Sequence, residues 1–496
     1  MSHGEQQSFN LESMKNLSIF IVLLPNLLLA QQPTDSLDYF IEKQVIDYKI
    51  PGLAVGIIKD NVVVFKKGYG RGSITDSMPV TTQTIFPILS CTKAFTAAAI
   101  GILVDKGKLH WNDKVIKYLP YFELSNQKVT NELTISDILS HRSGLESFEG
   151  DLLWYGTNYS RQEIVRRIKY SPLKNNFRKN FGYQNVMYLV AGLIIEKVAG
   201  ETWDEFIRKE IFLPLCMNNS STSIDALKGG NYARPHLKDK PIPLLNMDNI
   251  GPAGSVNSNI DDMVKWLQLW MNEGAYHEKK IFSHAAFKAI TSPKVNISGK
   301  SNESYGFGWY IEGEEKTKIL SHSGGMPGYK SLVIVLPQSK IGIVILTNKI
   351  SYISEQLAGV IQEHVTSKSI NWKEADRQLY GKNFRFSWDE ESNSNYQAFI
   401  PKLSLYKGMY EDTSYGKAMI EERNGKATLT LLPSKQQFSG RLYYLGYDKL
   451  KIVFNDGFVP EGEVLFYRRA DKKVSGFKLN IESSDFHFKH LNFIRK

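Results

Sequence analysis

Apolar and polar positions follow two regimes along the chain. Residues 53–58 and 62–65 are short apolar runs separated by Lys59-Asp60-Asn61, which predicts a β-hairpin. From Ser90 to about residue 290 the period is mostly helical. Residues 94–104 are almost all apolar or small, which predicts a helix buried on every side. Residues 185–198 and 260–271 also read as helices. Strand patterns return at 306–311, 331–336 and 341–346, and a helix follows near 354–364. Strands at both ends with helices between predict an α+β domain over 31–366, its sheet pairing the early hairpin with the late strands. Residues 367–400 are polar and without period, as expected of an irregular linker.

Beyond residue 400 the period becomes two. Leu450, Ile452 and Phe454 alternate with Lys451 and Val453; Phe477, Leu479 and Ile481 with Lys478 and Asn480; Phe486 and Phe488 with His487 and Lys489. Asn424-Gly425 and Asp456-Gly457 supply turn chemistry. The expectation for 401–496 is a small all-β domain, sandwich or barrel. At the other end, Met14-Lys15 precede an apolar run over 17–29, then Ala30 and Gln31-Gln32. A positive residue, a short apolar stretch and a small residue describe a secretory signal, so residues 1–30 are expected to be a leader with Met14 as a candidate start. The run is shorter than the roughly 20 residues of a membrane span. The expected location is periplasmic or secreted, anchored to the membrane if the leader is not cleaved.

Composition narrows the classes. Of 496 residues, 42% are apolar and 23% charged, which excludes a largely disordered chain. Two cysteines exclude a disulfide-dense scaffold, and both are expected to be reduced and buried. The formal net charge of +10 is spread without a basic run, so no nucleic-acid partner is expected. The ten histidines show no H-x-x-x-H or H-E-x-x-H spacing, so no catalytic metal and no cofactor are expected.

Three short motifs then stand out. Ser90-Cys91-Thr92-Lys93 opens the buried helix, and a spacing of three puts hydroxyl and amine on one helical face. Burial lowers a lysine's pKa, and a neutral amine can take a hydroxyl's proton. The same S-x-x-K spacing recurs at Ser125, Ser171, Ser404, Ser414 and Ser475, but only at Ser90 is the lysine forced into an apolar setting. Tyr183-Gln184-Asn185 is the only Y-x-N and precedes a helix; His322-Ser323-Gly324-Gly325 holds the only H-x-G and lies between strand patterns.

In this order, the motifs resemble the serine β-lactamase and penicillin-binding-protein superfamily. The resemblance is nearest to the branch of class C β-lactamases, D-aminopeptidases, carboxypeptidase-like hydrolases and family VIII esterases, which carries Y-x-N and H-x-G. Thr84-Ile85-Phe86, Leu139-Ser140-His141-Arg142-Ser143-Gly144-Leu145, Gly254, Tyr305-Gly306-Phe307-Gly308-Trp309 and Leu346-Thr347-Asn348 extend it over roughly 36–366. The last 95 or so residues are similar to the lipocalin-like β-barrel some of these hydrolases carry. The resemblance implies that Ser90 is an acylated nucleophile and that Lys93 and Tyr183 share proton transfer. Asn185 would bond the substrate amide or Lys93. His322 would touch Tyr183 or the leaving group. The backbone N–H groups of Ser90 and Gly325 would form an oxyanion hole, with Ser323 and Gly324 on the same strand beside the substrate. Cys91 reads as a small buried filler and His141 as a structural hydrogen-bonder.

The implied activity is that of an exported serine hydrolase acting on a small or peptide substrate, cell-wall peptides among the candidates. A penicillin-acylated receptor or β-lactamase is the alternative, and an idle binding protein the third. Residues 146–180 and 225–250 are expected to close the cleft, with Phe148, Trp154, Tyr155 and Tyr159 as a pocket wall or as lid packing. Oligomeric state is not legible.

Overall fold

A computed structural model of the chain describes residues 32–297, 302–366, 370–380 and 400–496. The expected leader and Met14 lie outside these residues. An eight-stranded antiparallel sheet runs in the order Val62–Gly70, Gly52–Lys59, Ile341–Thr347, Tyr329–Leu336, Ile319–Met326, Tyr310–Glu312, Glu303–Tyr305, Val295–Asn296. The early hairpin joins the late strands as the pattern predicts, with Leu53 opposite Thr347 and Lys59 opposite Ile341. Strand alternation sorts the side chains between two faces. Ile341, Ile343 and Ile345 pack with helices Gln32–Asp47 and Ile353–Thr366. Val344 and Leu346 face the larger core, which holds the buried helix Thr92–Asp105 and helix Ile260–Met271. There Phe95 stacks on Trp266 at 3.6 Å.

Two expected elements differ. The stretch 306–311 is not one strand but the loop and second arm of a hairpin, Glu303–Tyr305 with Tyr310–Glu312. Gly308 turns the loop at φ +74°, and a Cβ there would come within 2.7 Å of the Lys93 carbonyl oxygen. The chain therefore bends where it packs against the Ser90 helix instead of running straight. Within 367–400, residues Trp372–Tyr380 are helical, and Trp372 packs on Phe40 at 5.2 Å.

The C-terminal strands, from Gly408–Asp412 to Asn492–Arg495, form a closed eight-stranded barrel. Tyr410 opposite Arg495 and Glu411 opposite Ile494 join last strand to first, which leaves no free edge. Residues 486–489 are not a strand. Phe486 and Phe488 instead bury against Phe438, at 5.6 and 5.4 Å, as the chain turns through Phe488–His490. Their alternation records burial at the barrel's end, not ladder pairing.

The barrel docks on residues 155–167. Tyr155 packs on Phe486 at 4.8 Å and donates to Asp456 Oδ2 at 3.1 Å; Tyr159 donates to the Tyr415 carbonyl at 2.5 Å; Arg167 donates to the Ser414 carbonyl at 2.9 Å. Both cysteines are free. Cys91 is buried, but Cys216 is exposed, in a turn that follows Phe212.

Candidate active site

Ser90 lies in a tight turn, Leu89–Cys91, that runs into helix Thr92–Asp105. Leu89 takes φ +52°, a conformation a branched residue adopts only when its surroundings hold it. Here the Ser331 hydroxyl donates to the Ile88 carbonyl at 2.7 Å, and Ile88 N–H donates to Val256 at 2.8 Å. The turn is thereby pinned between the sheet and the 251–256 segment.

Lys93 is fully buried, and its amine donates in three directions: to Ser90 Oγ at 3.2 Å, Asn185 Oδ1 at 2.7 Å and the Ala253 carbonyl at 3.0 Å. Burial lowers its pKa to about 7, against the pull of Asp151, which raises it. Asn185 begins helix Asn185–Ala199 and passes the contact on, its Nδ2 donating to Asp151 Oδ2 at 2.7 Å. Asp151 is buried, and burial raises its carboxyl to about 7. The sequence reasoning missed Asp151, since no spacing separates it from any other loop aspartate.

Tyr183 lies 4.8 Å beneath the Lys93 ammonium, measured to its ring centre. Burial pushes its hydroxyl well above the ordinary tyrosine value, with the Ser90 hydroxyl opposing. His141 is buried beside it at 4.5 Å, and its Nδ1 accepts from the Gln184 N–H at 3.0 Å, so this histidine shapes the Tyr183 loop.

His322 lies beside Tyr183, in ring contact with it. It is buried, and its ring centre stands 6.2 Å from that of Tyr183. Its Nε2 bonds the Tyr305 hydroxyl at 3.0 Å and its Nδ1 faces the Ser323 carbonyl at 2.7 Å. Burial, then Lys93, lowers its pKa to about 3. Both ring nitrogens are thus engaged, one by Tyr305 and one by the Ser323 backbone.

A cavity of about 150 Å³ opens over Ser90. Ser90, Tyr183, Asn185 and Gly325 border it, whereas His322, Ser323 and Gly324 do not. Gly324 packs behind the site, where a Cβ would meet Leu89 at 2.6 Å. Of the four aromatics, Phe148, Trp154 and Tyr155 line the cavity and Tyr159 holds the barrel. Phe458, Asp485 and Phe486 reach the cavity from the barrel. Among the described residues that line it none is arginine or lysine, and Lys93 lies just beneath, its amine 3.2 Å from Ser90 Oγ.

The pattern of the family described as Beta-lactamase matches residues 37–358. The chain belongs to this beta-lactamase family. Penicillin-binding protein 4* of Bacillus subtilis (strain 168) is 30% identical over 437 residues, covering 80% of this chain and 91% of the relative. The unguisins hydrolase UngD' of Aspergillus campestris is 28% identical over 458 residues, covering 82% and 84%. The octameric penicillin-binding protein homologue from Pyrococcus abyssi shares the fold at a TM-score of 0.61 and 24% identity, covering 93% of this chain and all of that one. The beta-lactamase fold and the C-terminal barrel are therefore both present in this family member, and its hydrolase class follows from the family.

Proposed function

We propose that this beta-lactamase family member hydrolyses amide or ester bonds through an acyl-enzyme on Ser90. The observation that carries the reading is a buried lysine with a pKa near 7 whose amine stands 3.2 Å from the Ser90 hydroxyl. In its neutral form Lys93 takes the Ser90 proton as Oγ attacks the substrate carbonyl. The raised pKa of Tyr183 favours Lys93 over a tyrosinate as the base. Tyr183, neutral, is suited to relaying a proton to the leaving group. The N–H groups of Ser90 and Gly325 are the candidates for holding the oxyanion, at roughly 2.7–4 kcal/mol for such a donor. Water then releases the acyl group by the reverse proton path. His322 supports the strand from behind and takes no part in proton transfer.

The cavity bears on substrate. Its walls are largely aromatic, with two acidic side chains, Asp151 and Asp485, and among the described residues no arginine or lysine borders it. A penicillin or a peptide C-terminus brings a carboxylate, for which the described walls supply no arginine or lysine beyond Lys93 beneath Ser90. An acyl group that is apolar, or that carries an amine, fits better. The substrate class we infer is an ester or an amide of an apolar or amine-bearing acyl group, D-aminoacyl compounds included. Purified protein should turn over p-nitrophenyl esters or D-aminoacyl p-nitroanilides faster than nitrocefin. Ser90→Ala should abolish both turnover and labelling by a fluorophosphonate probe; equal labelling of the variant would end the assignment. Export belongs to the proposal too, supported by the 14–30 pattern; the N-terminus of secreted protein, read by sequencing, should begin near residue 31.

A further inference from the structure

We propose that Glu146, Glu149, His487 and His490 form a zinc site that ties the barrel to the wall of the active-site cavity. Each residue offers a donor atom within 4.8 Å of the others. Two come from the loop that carries Phe148, and two from the barrel segment that follows Asp485 and Phe486, all three of which line the cavity. Nothing in the proposed hydrolysis uses these four residues.

The local bonding is incomplete in a way that a cation would complete. Glu149 is only 4% exposed, and its Oε2 accepts no hydrogen bond among the described residues. His490 Nδ1 lies 2.9 Å from that oxygen, an ion-pair contact when the ring is protonated, but without the alignment of a hydrogen bond. His487 Nε2 is 2.8 Å from the Ser147 carbonyl, to which it can only donate. In the neutral ring Nδ1 is then a bare lone pair, and it faces Glu149 Oε2 at 3.9 Å. A lone pair turned toward a carboxylate oxygen needs a positive charge between them. A histidine whose far N–H is held by a backbone carbonyl is also the usual arrangement of a metal ligand.

Two imidazoles and two carboxylates suit Zn²⁺, which takes four such donors at about 2.0–2.2 Å. The donors would draw together around the ion. The two rings already stack, 5.1 Å apart and within 8° of parallel. Lys174 supplies positive charge nearby, donating to His490 Nε2 at 2.8 Å and to Glu146 at 2.9 Å. Coordination through His490 Nδ1 leaves the proton on Nε2, which can no longer accept from Lys174. The ammonium, half exposed, must then swing out, so Lys174 and Zn²⁺ compete.

The full-length protein, stripped with chelator and dialysed, is titrated with Zn²⁺ by calorimetry and with Co²⁺ by visible absorption. One ion per chain, the absorption band of four-coordinate Co²⁺ and a higher melting temperature with Zn²⁺ are expected. His487→Ala/His490→Ala should bind more than about tenfold more weakly. Lys174→Ala, an exposed change that should fold normally, should bind more tightly. Absence of heat and of a Co²⁺ band in the wild-type protein would overturn the site. An unchanged isotherm in the double variant, or weaker binding in Lys174→Ala, would overturn it as well.

Discussion

Asp151 and Lys93 form a linked pair of buried ionisable groups, joined through Asn185. Burial drives them in opposite directions, and each charge tempers the other's shift. The pair titrates as a unit, and activity should rise with pH as Lys93 loses its proton near pH 7. The Asp151 carboxylate holds that proton on, so removing its charge should let the proton leave at lower pH. Asp151→Asn, which keeps an oxygen for Asn185 to bond, should shift the acid limb of kcat/KM to lower pH. A pH–rate profile measures it; a limb that moves up or stays put refutes the coupling. At this scale the sequence was informative about Ser90 and Lys93, because lysine in an apolar run is conspicuous. It was silent on Asp151, and it placed His322 near Tyr183 without showing that Tyr305 and Ser323 hold the ring's nitrogens.

Among elements, the strand Ile319–Met326 must lie flush against the Ser90 turn. Gly324 permits that approach: a Cβ would come within 2.5 Å of Ser331 Oγ, 2.6 Å of Leu89 Cβ and 2.8 Å of the Ile88 carbonyl. Two of those three atoms anchor the strained turn, so they cannot give way cheaply. Gly324→Ala should cost about 1–3 kcal/mol of stability in urea unfolding, and activity with it. Gly325 sits one residue on, with its pro-Cβ position 3.9 Å from any neighbour. Gly325→Ala should unfold at the wild-type urea concentration, and any activity loss would come from the methyl entering the cavity. Equal destabilisation by the two changes would contradict this packing. The period of apolar residues located the helices and the sheet strands well, Ile260–Met271 to the residue. It failed at 306–311 and 486–489, where a turn against Lys93 and an aromatic cluster override alternation.

Across the whole molecule, the barrel completes the cavity instead of hanging beside the hydrolase domain. Tyr155 is the joint: its ring meets Phe486 and Phe438, its hydroxyl Asp456, and its carbonyl accepts from Ser434 at 2.8 Å. Phe486 therefore touches both the joint and the substrate space. Phe486→Leu keeps an apolar filler but loses the aromatic edge. It should raise KM for aromatic acyl esters by about tenfold and leave kcat within about threefold, a contact worth roughly one to a few methylenes. Steady-state kinetics on the full chain decides it; an unchanged KM would mean that the barrel wall is not a substrate contact.

The sequence alone determined the family, the two-part architecture and the pairing of a serine with a buried lysine. These properties are written in local period and short spacing, which a chain carries wherever it folds. Only the tertiary structure decided that Tyr305 and Ser323 hold the His322 ring, that Asp151 joins Lys93 through Asn185, and that Asp485 and Phe486 stand over Ser90 nearly 400 residues away in the chain. Those relations depend on how separately folded surfaces meet, and no window of sequence contains both sides of such a contact.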